Sequence, residues 1–200
     1  MAGEVARVAD FAERLRRYLW TTYSAVNFFV FGMAIAAYWL IGVSLGLKGV
    51  EYSYWAAGMA AVVVLCVAVL EGVEPRRGVK EELSREGLRW AASFILPFIA
   101  VYAVACWYPS LFVNGWYLAL GLAMLLAHLT LERPWVSRGS MVAKPFLFSA
   151  ALILPSYVLV EWSYVAMGAT SSWLLALGLM LTSYFTAGVY ALLKAARLFR

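Results

Sequence analysis

Apolar residues occur in six long runs along the chain, separated by short polar segments. The runs cover residues 24–47, 54–70, 90–108, 111–131, 143–165 and 172–193. A helix rises about 1.5 Å per residue, so about 20 apolar residues cross the roughly 30 Å hydrocarbon layer of a bilayer. Runs of this length satisfy their backbone hydrogen bonds in lipid as helices rather than as barrel strands. The pattern predicts an all-α polytopic membrane bundle of six transmembrane helices, forming one domain over residues 1–200.

A different pattern precedes the first run. Apolar residues recur there at steps of three and four, with charged residues between them, at Val5, Val8, Phe11, Leu15 and Leu19. This spacing predicts an amphipathic helix over residues 1–20, called the leader below. The favoured interpretation is that the leader lies along the cytoplasmic lipid headgroups. The alternative is a docking helix for a cytoplasmic partner.

The even-numbered runs share a register set by Trp55, Trp116 and Trp173. The segment Trp-Tyr-Leu-Ala-Leu-Gly that begins at Trp116 differs at one position from the segment that begins at Trp173. Glu71 and Glu132 each lie sixteen residues after their tryptophan. A period near sixty residues predicts three repeated two-helix hairpins, about 21–75, 76–135 and 136–200, in a pseudo-threefold arrangement.

Two prolines support the same register in the odd-numbered runs. Pro97 and Pro155 each follow an Ile-Leu pair. A proline inside a helix removes one backbone donor and bends the chain. We therefore expect kinks at equivalent places in the third and fifth helices.

Composition and the distribution of charge predict how the chain is oriented in the membrane. Hydrophobic residues make up 64% of the chain, charged residues 14%, and the net charge is +5. Every Lys and Arg except Lys48 falls in the leader, the second connection, the fourth connection or the C-terminal end. Because cytoplasmic segments retain Lys and Arg, this distribution predicts a multi-pass protein of the cell membrane with both termini in the cytoplasm. The basic segments are expected to contact anionic lipid headgroups, not nucleic acid.

Few residues in the chain suggest chemistry. His128 is the only histidine and lies four residues before Glu132, so the two share one helix face near the cytoplasmic boundary. A single histidine excludes multi-histidine metal sites within the chain, and the presence of one aspartate, Asp10, argues against the clustered carboxylates that hold Mg²⁺. We therefore predict no metal, cofactor or catalytic residue. His128 is interpreted as structural, with proton handling as the alternative, and Glu71 and Glu132 as solvated partners of neighbouring arginines.

The remaining candidate positions are polar residues within the runs. Glu161 lies seventeen residues after Lys144, about 25 Å along a helix, which places it near the outer headgroups. Asn27 and Asn114 supply uncharged polarity. Because charge at mid-membrane is costly and usually functional, its scarcity here disfavours ion-coupled transport.

Six helices in about two hundred residues resemble, in architecture alone, the vitamin-binding subunits of energy-coupling-factor transporters and the short-repeat acid-resistance membrane proteins. The signature of mitochondrial carriers is absent, because Pro97 is followed by Phe98-Ile99 and Pro155 by Ser156-Tyr157. These likenesses identify no family.

Three functions remain open. The first is a non-enzymatic protein that binds or transports a small neutral or apolar solute, favoured slightly because internal repeats often frame a midplane site. The second is a structural or assembly subunit of a membrane complex, with a homo-oligomer among its forms. The third is a lipid-acting membrane enzyme that uses His128 and Glu132.

Overall fold

The computed structural model describes the backbone of residues 2–44, 52–71 and 80–200, and the side chains of residues 4–42, 57–70, 86–108 and 110–200. All regular structure in these ranges is helical. The elements are α1 (Ala2–Ser44), α2 (Tyr52–Glu71), α3 (Lys80–Ala105), α4 (Pro109–Ala127), a π-helical turn (His128–Glu132), α5 (Arg133–Ser137), α6 (Pro145–Met167), α7 (Ala169–Ala196) and a final 3₁₀ turn (Arg197–Phe199). The all-α prediction is confirmed for the described part of the chain.

Five helical stretches are long and apolar enough to cross a membrane. They are Glu4–Gly42, Glu86–Ala105, Ser110–Ser137, Pro145–Met167 and Ala169–Phe199. The described part of α2 adds a shorter apolar stretch, Ala57–Leu70. These helices are compatible with a membrane protein, and the sixth span stays a prediction.

The leader and the first predicted span form one unbroken helix, α1, of 43 residues. Residues 4–31 contain neither glycine nor proline, so nothing in this stretch ends the helix. At about 1.5 Å per residue α1 is about 65 Å long, roughly twice the hydrocarbon thickness. The leader therefore continues the axis of the first span, and its position along the headgroups stays a prediction.

The large helices pack in the spatial order α2, α1, α7, α6, α4, α3, and α4 also contacts α7. These contacts join the first predicted hairpin to the third, and the third to the second. The three-hairpin repeat and its pseudo-threefold arrangement stay predictions.

Large side chains fill the space among α1, α4, α6 and α7. Phe28, Tyr117, Ile153, Met180 and Tyr184 are buried, each with at most 4% of its surface exposed. The ring of Phe28 meets those of Phe146 and Tyr184 with centroids 5.0 and 5.3 Å apart. Burial of such side chains away from solvent and dense packing hold the bundle together.

The two predicted kink positions have different surroundings. Both α3 and α6 stay helical through their internal prolines, Pro97 and Pro155. Pro97 is buried, whereas Pro155 is exposed. The equivalence of the two prolines in sequence therefore does not extend to their environment, and the kinks themselves stay predictions.

Candidate functional site

His128 and Glu132 meet in the π-helical turn that follows α4, as their spacing predicts. His128 Nδ1 and Glu132 Oε2 lie 2.6 Å apart. Glu132 is fully buried, which makes the interpretation of this residue as a solvated ion-pair partner wrong. The neighbouring Arg133 is exposed. The carboxylate points inward because its oxygens accept hydrogen bonds there from residues that are not its neighbours in sequence.

Those partners are backbone amides at the start of α6. Phe146 N donates to Glu132 Oε1 at 2.8 Å, and Leu147 N donates to Glu132 Oε2 at 3.2 Å. The N-cap residue Lys144 provides no side-chain cap of its own. A helix N-terminus has amides without intrahelical partners and a partial positive charge, so a carboxylate stabilises it. Glu132 thus caps α6 from another helix.

The π-helical turn positions this carboxylate. Arg133 N donates to His128 O, one residue further back than in an α-helix. Pro134 follows at the start of α5 and has no N–H to continue the regular ladder. Single π turns of this kind are frequent at functional sites. Here the turn directs both Glu132 and His128 into the protein interior.

The segment between α5 and α6 is tied to α1. Arg17 Nε donates to Gly139 O at 3.0 Å, and Val142 N donates to Thr21 Oγ1 at 3.3 Å. Gly139 has φ +70°, a conformation that favours glycine. This explains why a glycine follows Arg138. Gly78, which follows Arg77 in the same way in the sequence, lies outside the described residues.

A second polar cluster, the outer cluster, lies at the opposite ends of α4, α6 and α7. It consists of Asn114, Tyr157, Glu161 and Ser172. Tyr157 OH donates to Glu161 Oε1 at 2.6 Å, and Asn114 Nδ2 donates to the same oxygen at 3.4 Å. Ser172 Oγ donates to Asn114 Oδ1 at 3.1 Å. Asn114 and Ser172 are fully buried, and Glu161 is half-buried.

Four of the candidate residues named from sequence therefore fall into two clusters. His128 and Glu132 form the inner cluster, whereas Asn114 and Glu161 join the outer one. Asn27 is half-buried on α1. Glu71 is the last residue of α2, and its side chain lies outside the described residues. The prediction that Glu71 and Glu132 are equivalent stays untested.

Sequence reasoning missed two members of the outer cluster. Tyr157 precedes Glu161 by four residues, so the shared helix face was a signal that could have found it. Ser172 bonds to a residue 58 positions away, and no local pattern indicates such a contact. Between the clusters, Ser149 Oγ and Ser183 Oγ lie 2.8 Å apart and tie α6 to α7.

Chemically, both clusters consist of contacts within the protein. The two oxygens of Glu132 accept three hydrogen bonds, from two amides and one imidazole. Such a carboxylate is engaged as a helix cap and has little capacity left for a substrate. Glu161, half-buried, is the more accessible of the two carboxylates.

Comparison with protein-family models, curated proteins and solved structures finds no match to this chain.

Proposed function

We propose that this chain is a non-enzymatic structural subunit that assembles with other proteins in the cell membrane. In this proposal it crosses the membrane six times as three hairpins, with both termini in the cytoplasm. The distribution of Lys and Arg among alternate segments supports this orientation. The basic segments then contact anionic headgroups.

The filled core is the observation that carries the proposal. A solute that passed through the bundle would need a polar-lined space among α1, α4, α6 and α7. Aromatic and aliphatic side chains occupy that space, with Tyr117, Ile153 and Met180 at most 1% exposed. The buried polar groups of the inner cluster bond to one another. The surfaces left for interaction are therefore the outer faces of the helices.

These outer faces are broad and apolar. On α2, exposed side chains include Val64 at 67% and Leu65 at 65%, and on α3, Ile99 at 61%. Both helices lie at the ends of the packing order, and α2 has its main contacts with α1. In a bilayer such faces meet either lipid or another membrane protein.

Site-specific crosslinking distinguishes these neighbours. A photoreactive amino acid is placed singly at Val64 on α2, Ile99 on α3 or Val158 on α6, all exposed positions. A structural subunit should give a discrete adduct with a different polypeptide from one face and none from the other faces. That polypeptide should stay bound at a fixed ratio in nanodiscs by native mass spectrometry. Lipid adducts from all three positions, together with no bound polypeptide, would overturn the proposal.

Binding of a small neutral solute at the outer cluster is a second candidate. The half-buried Glu161 supports it, because this carboxylate is the acceptor that retains access to the surface. A solute that bonds there should raise the melting temperature of the wild-type protein and not that of Glu161→Gln. If no solute in a broad panel produces this difference, the outer cluster is a packing feature.

The inner cluster lends less support to the third function, a lipid-acting enzyme. Glu132 is fully buried, and both of its oxygens are occupied by α6 amides. A general acid or base needs an oxygen within reach of the substrate.

A further inference from the structure

The leader exposes an apolar stripe outside the hydrocarbon layer. Val5 is 69% exposed, Val8 68%, Leu15 39% and Leu19 44%. Six charged residues lie among them, at Arg7, Asp10, Glu13, Arg14, Arg16 and Arg17. Charges of this density are too costly for the bilayer interior, so this part of α1 lies in the aqueous phase. Because α1 is unbroken, the stripe extends in line with the span.

The opposite, charged face of the leader lies beside the C-terminal end of the same chain. Arg14 pairs with Asp10 at 2.9 Å, and Arg17 pairs with Glu13. These four residues line a groove of about 370 Å³ together with Arg197 and Leu198. The ring of Phe199 contacts those of Phe11 and Tyr18, with centroids 6.2 and 5.4 Å apart. The charged face thus turns toward the C-terminal end, and the apolar stripe turns away from it.

The stripe has the spacing of a coiled coil. Positions 5, 8, 12, 15 and 19 alternate steps of three and four, and all are apolar. This is the a and d pattern of a seven-residue repeat, whose period of 3.5 favours a left-handed pair of helices. The a positions continue into the span at the same interval. They are Val5, Ala12, Leu19, Val26, Met33 and Leu40.

Charge placement also fits a pair of helices. Five of the six charges occupy the b, c and f positions, which face away from a partner helix. In a parallel pair, the g position of one helix faces the following e position of the other. The resulting pairs here are Glu4 with Ala9, Phe11 with Arg16, and Tyr18 with Tyr23. No two like charges oppose each other in these pairs.

We infer that the leader stripe binds the leader of a second copy of this chain, forming a parallel, in-register two-stranded coiled coil. This rests on the proposed assembly function and names the partner of one surface. The membrane gives every copy the same orientation, so two leaders meet in parallel about an axis normal to the bilayer. A twofold contact requires a self-complementary surface, which an apolar seam provides. Attachment of each leader to its span keeps the two helices at high effective concentration.

Cysteine crosslinking of the full-length protein tests this contact. In a background with Cys66→Ala and Cys106→Ala, Val8→Cys places a thiol at a d position on the seam. Ala6→Cys is the matched control, since Ala6 is exposed on the far side of the same helical turn. Under mild oxidation in proteoliposomes, we expect about tenfold more disulfide-linked dimer from Val8→Cys than from Ala6→Cys. Equal yields from the two positions would overturn the inference.

A disruptive variant checks that the crosslinks report a stable dimer. Val8→Glu with Leu15→Glu should reduce the protein to one copy per nanodisc, whereas Leu15→Met should leave two. Both side chains are exposed, so the melting temperature of the bundle should not change. Retention of two copies by the double variant would contradict the coiled coil.

Three further outcomes separate this inference from its alternatives. In the first, an environment-sensitive fluorophore is attached to Val8→Cys in nanodiscs that hold one copy of the protein. Emission that stays blue-shifted there would show that the stripe contacts lipid headgroups, and this result would overturn the inference. If Val8→Cys fails to crosslink while another membrane protein remains bound at a fixed ratio, the coiled coil is wrong and the assembly function stands. A dimer without any other bound polypeptide would support the coiled coil and count against the wider complex.

Discussion

The helices α4 and α7 contain almost the same six residues in different surroundings. A Cβ atom at Gly121 of α4 would lie 2.7 Å from Leu154 Cδ2 and 2.8 Å from Ile153 Cγ2, whereas a Cβ at the matching Gly178 of α7 would meet nothing within 4 Å. The glycine in α4 thus permits close approach of α6, and the glycine in α7 lies on an open face. Similar sequence therefore produces similar helices without similar neighbours.

Other matched positions show what the two segments do share. Ala119 and Ala176 are both fully buried, and Leu120 and Leu177 are 8% and 2% exposed. The position directly after each tryptophan differs in burial, since Tyr117 is fully buried and Leu174 is 41% exposed. The shared alanine and leucine define the inner face of each helix. The remaining positions depend on which helix lies beside them.

The largest difference lies toward the C-terminal ends of the two segments. Where α4 continues into His128 and Glu132, α7 has Phe185 and Val189 at the same distances from its tryptophan. His128 is 8% exposed and Phe185 62%. The polar pair is needed where α6 begins with uncapped amides, and α7 has no such helix end to cap there.

Replacement of Glu132 should give the largest effect. Glu132→Ala leaves the amides of Phe146 and Leu147 and the imidazole of His128 without their acceptor, and we expect a loss of about 4 kcal/mol in the free energy of unfolding. The matched control, Val189→Ala in half-buried surroundings, should cost about 1 kcal/mol. Equilibrium unfolding in mixed micelles measures both. A similar loss from the two variants would mean that the cap contributes little.

Enlarging the two glycines should give an intermediate effect. Gly121→Leu forces α4 away from Ile153 and Leu154, and overpacking of this kind costs about 2 to 3 kcal/mol. Gly178→Leu adds a side chain to an open helix face and should change stability by less than about 0.5 kcal/mol. Melting temperatures in the same detergent provide the comparison. If Gly178→Leu is the more harmful change, that face is covered by another protein.

Removal of the Tyr117 hydroxyl should give the smallest effect. Tyr117 OH and Ser156 Oγ lie 2.7 Å apart, and Ser156 also donates to Leu152 O and Ile153 O. Tyr117→Phe therefore leaves Ser156 bonded and should cost about 1 kcal/mol. The matched Leu174→Phe, at an exposed position, should have no measurable effect. If Tyr117→Phe lowers the stability more than Gly121→Leu does, this hydroxyl belongs to a larger hydrogen-bond network than the contacts indicate.

Much of the helical architecture could be predicted because its determinants are local. The apolar runs beginning at residues 90, 111, 143 and 172 fall within α3, α4 with the π turn, α6 and α7, with ends shifted by a few residues. The pairing of His128 with Glu132 was also predictable, since four residues along a helix bring two side chains together. The four-residue spacing did not indicate whether His128 and Glu132 are buried.

Two expectations depended on distant parts of the chain, and here local pattern was insufficient. Glu132 was expected in solvent because arginine follows it, yet the start of α6, fourteen residues later, takes its carboxylate. Asn114 and Glu161 were separate candidates, and the packing of α4 against α6 joins them across 47 residues.

Sequence by itself determined that the described chain is helical and roughly where its apolar helical segments lie, because helix hydrogen bonds and apolar length depend on residues within a few turns. Only the tertiary structure decided which of two nearly identical segments is closely packed, which carboxylate caps a helix and which face of the leader stays open. These properties depend on side chains that are far apart in sequence, so they are set when the helices pack together.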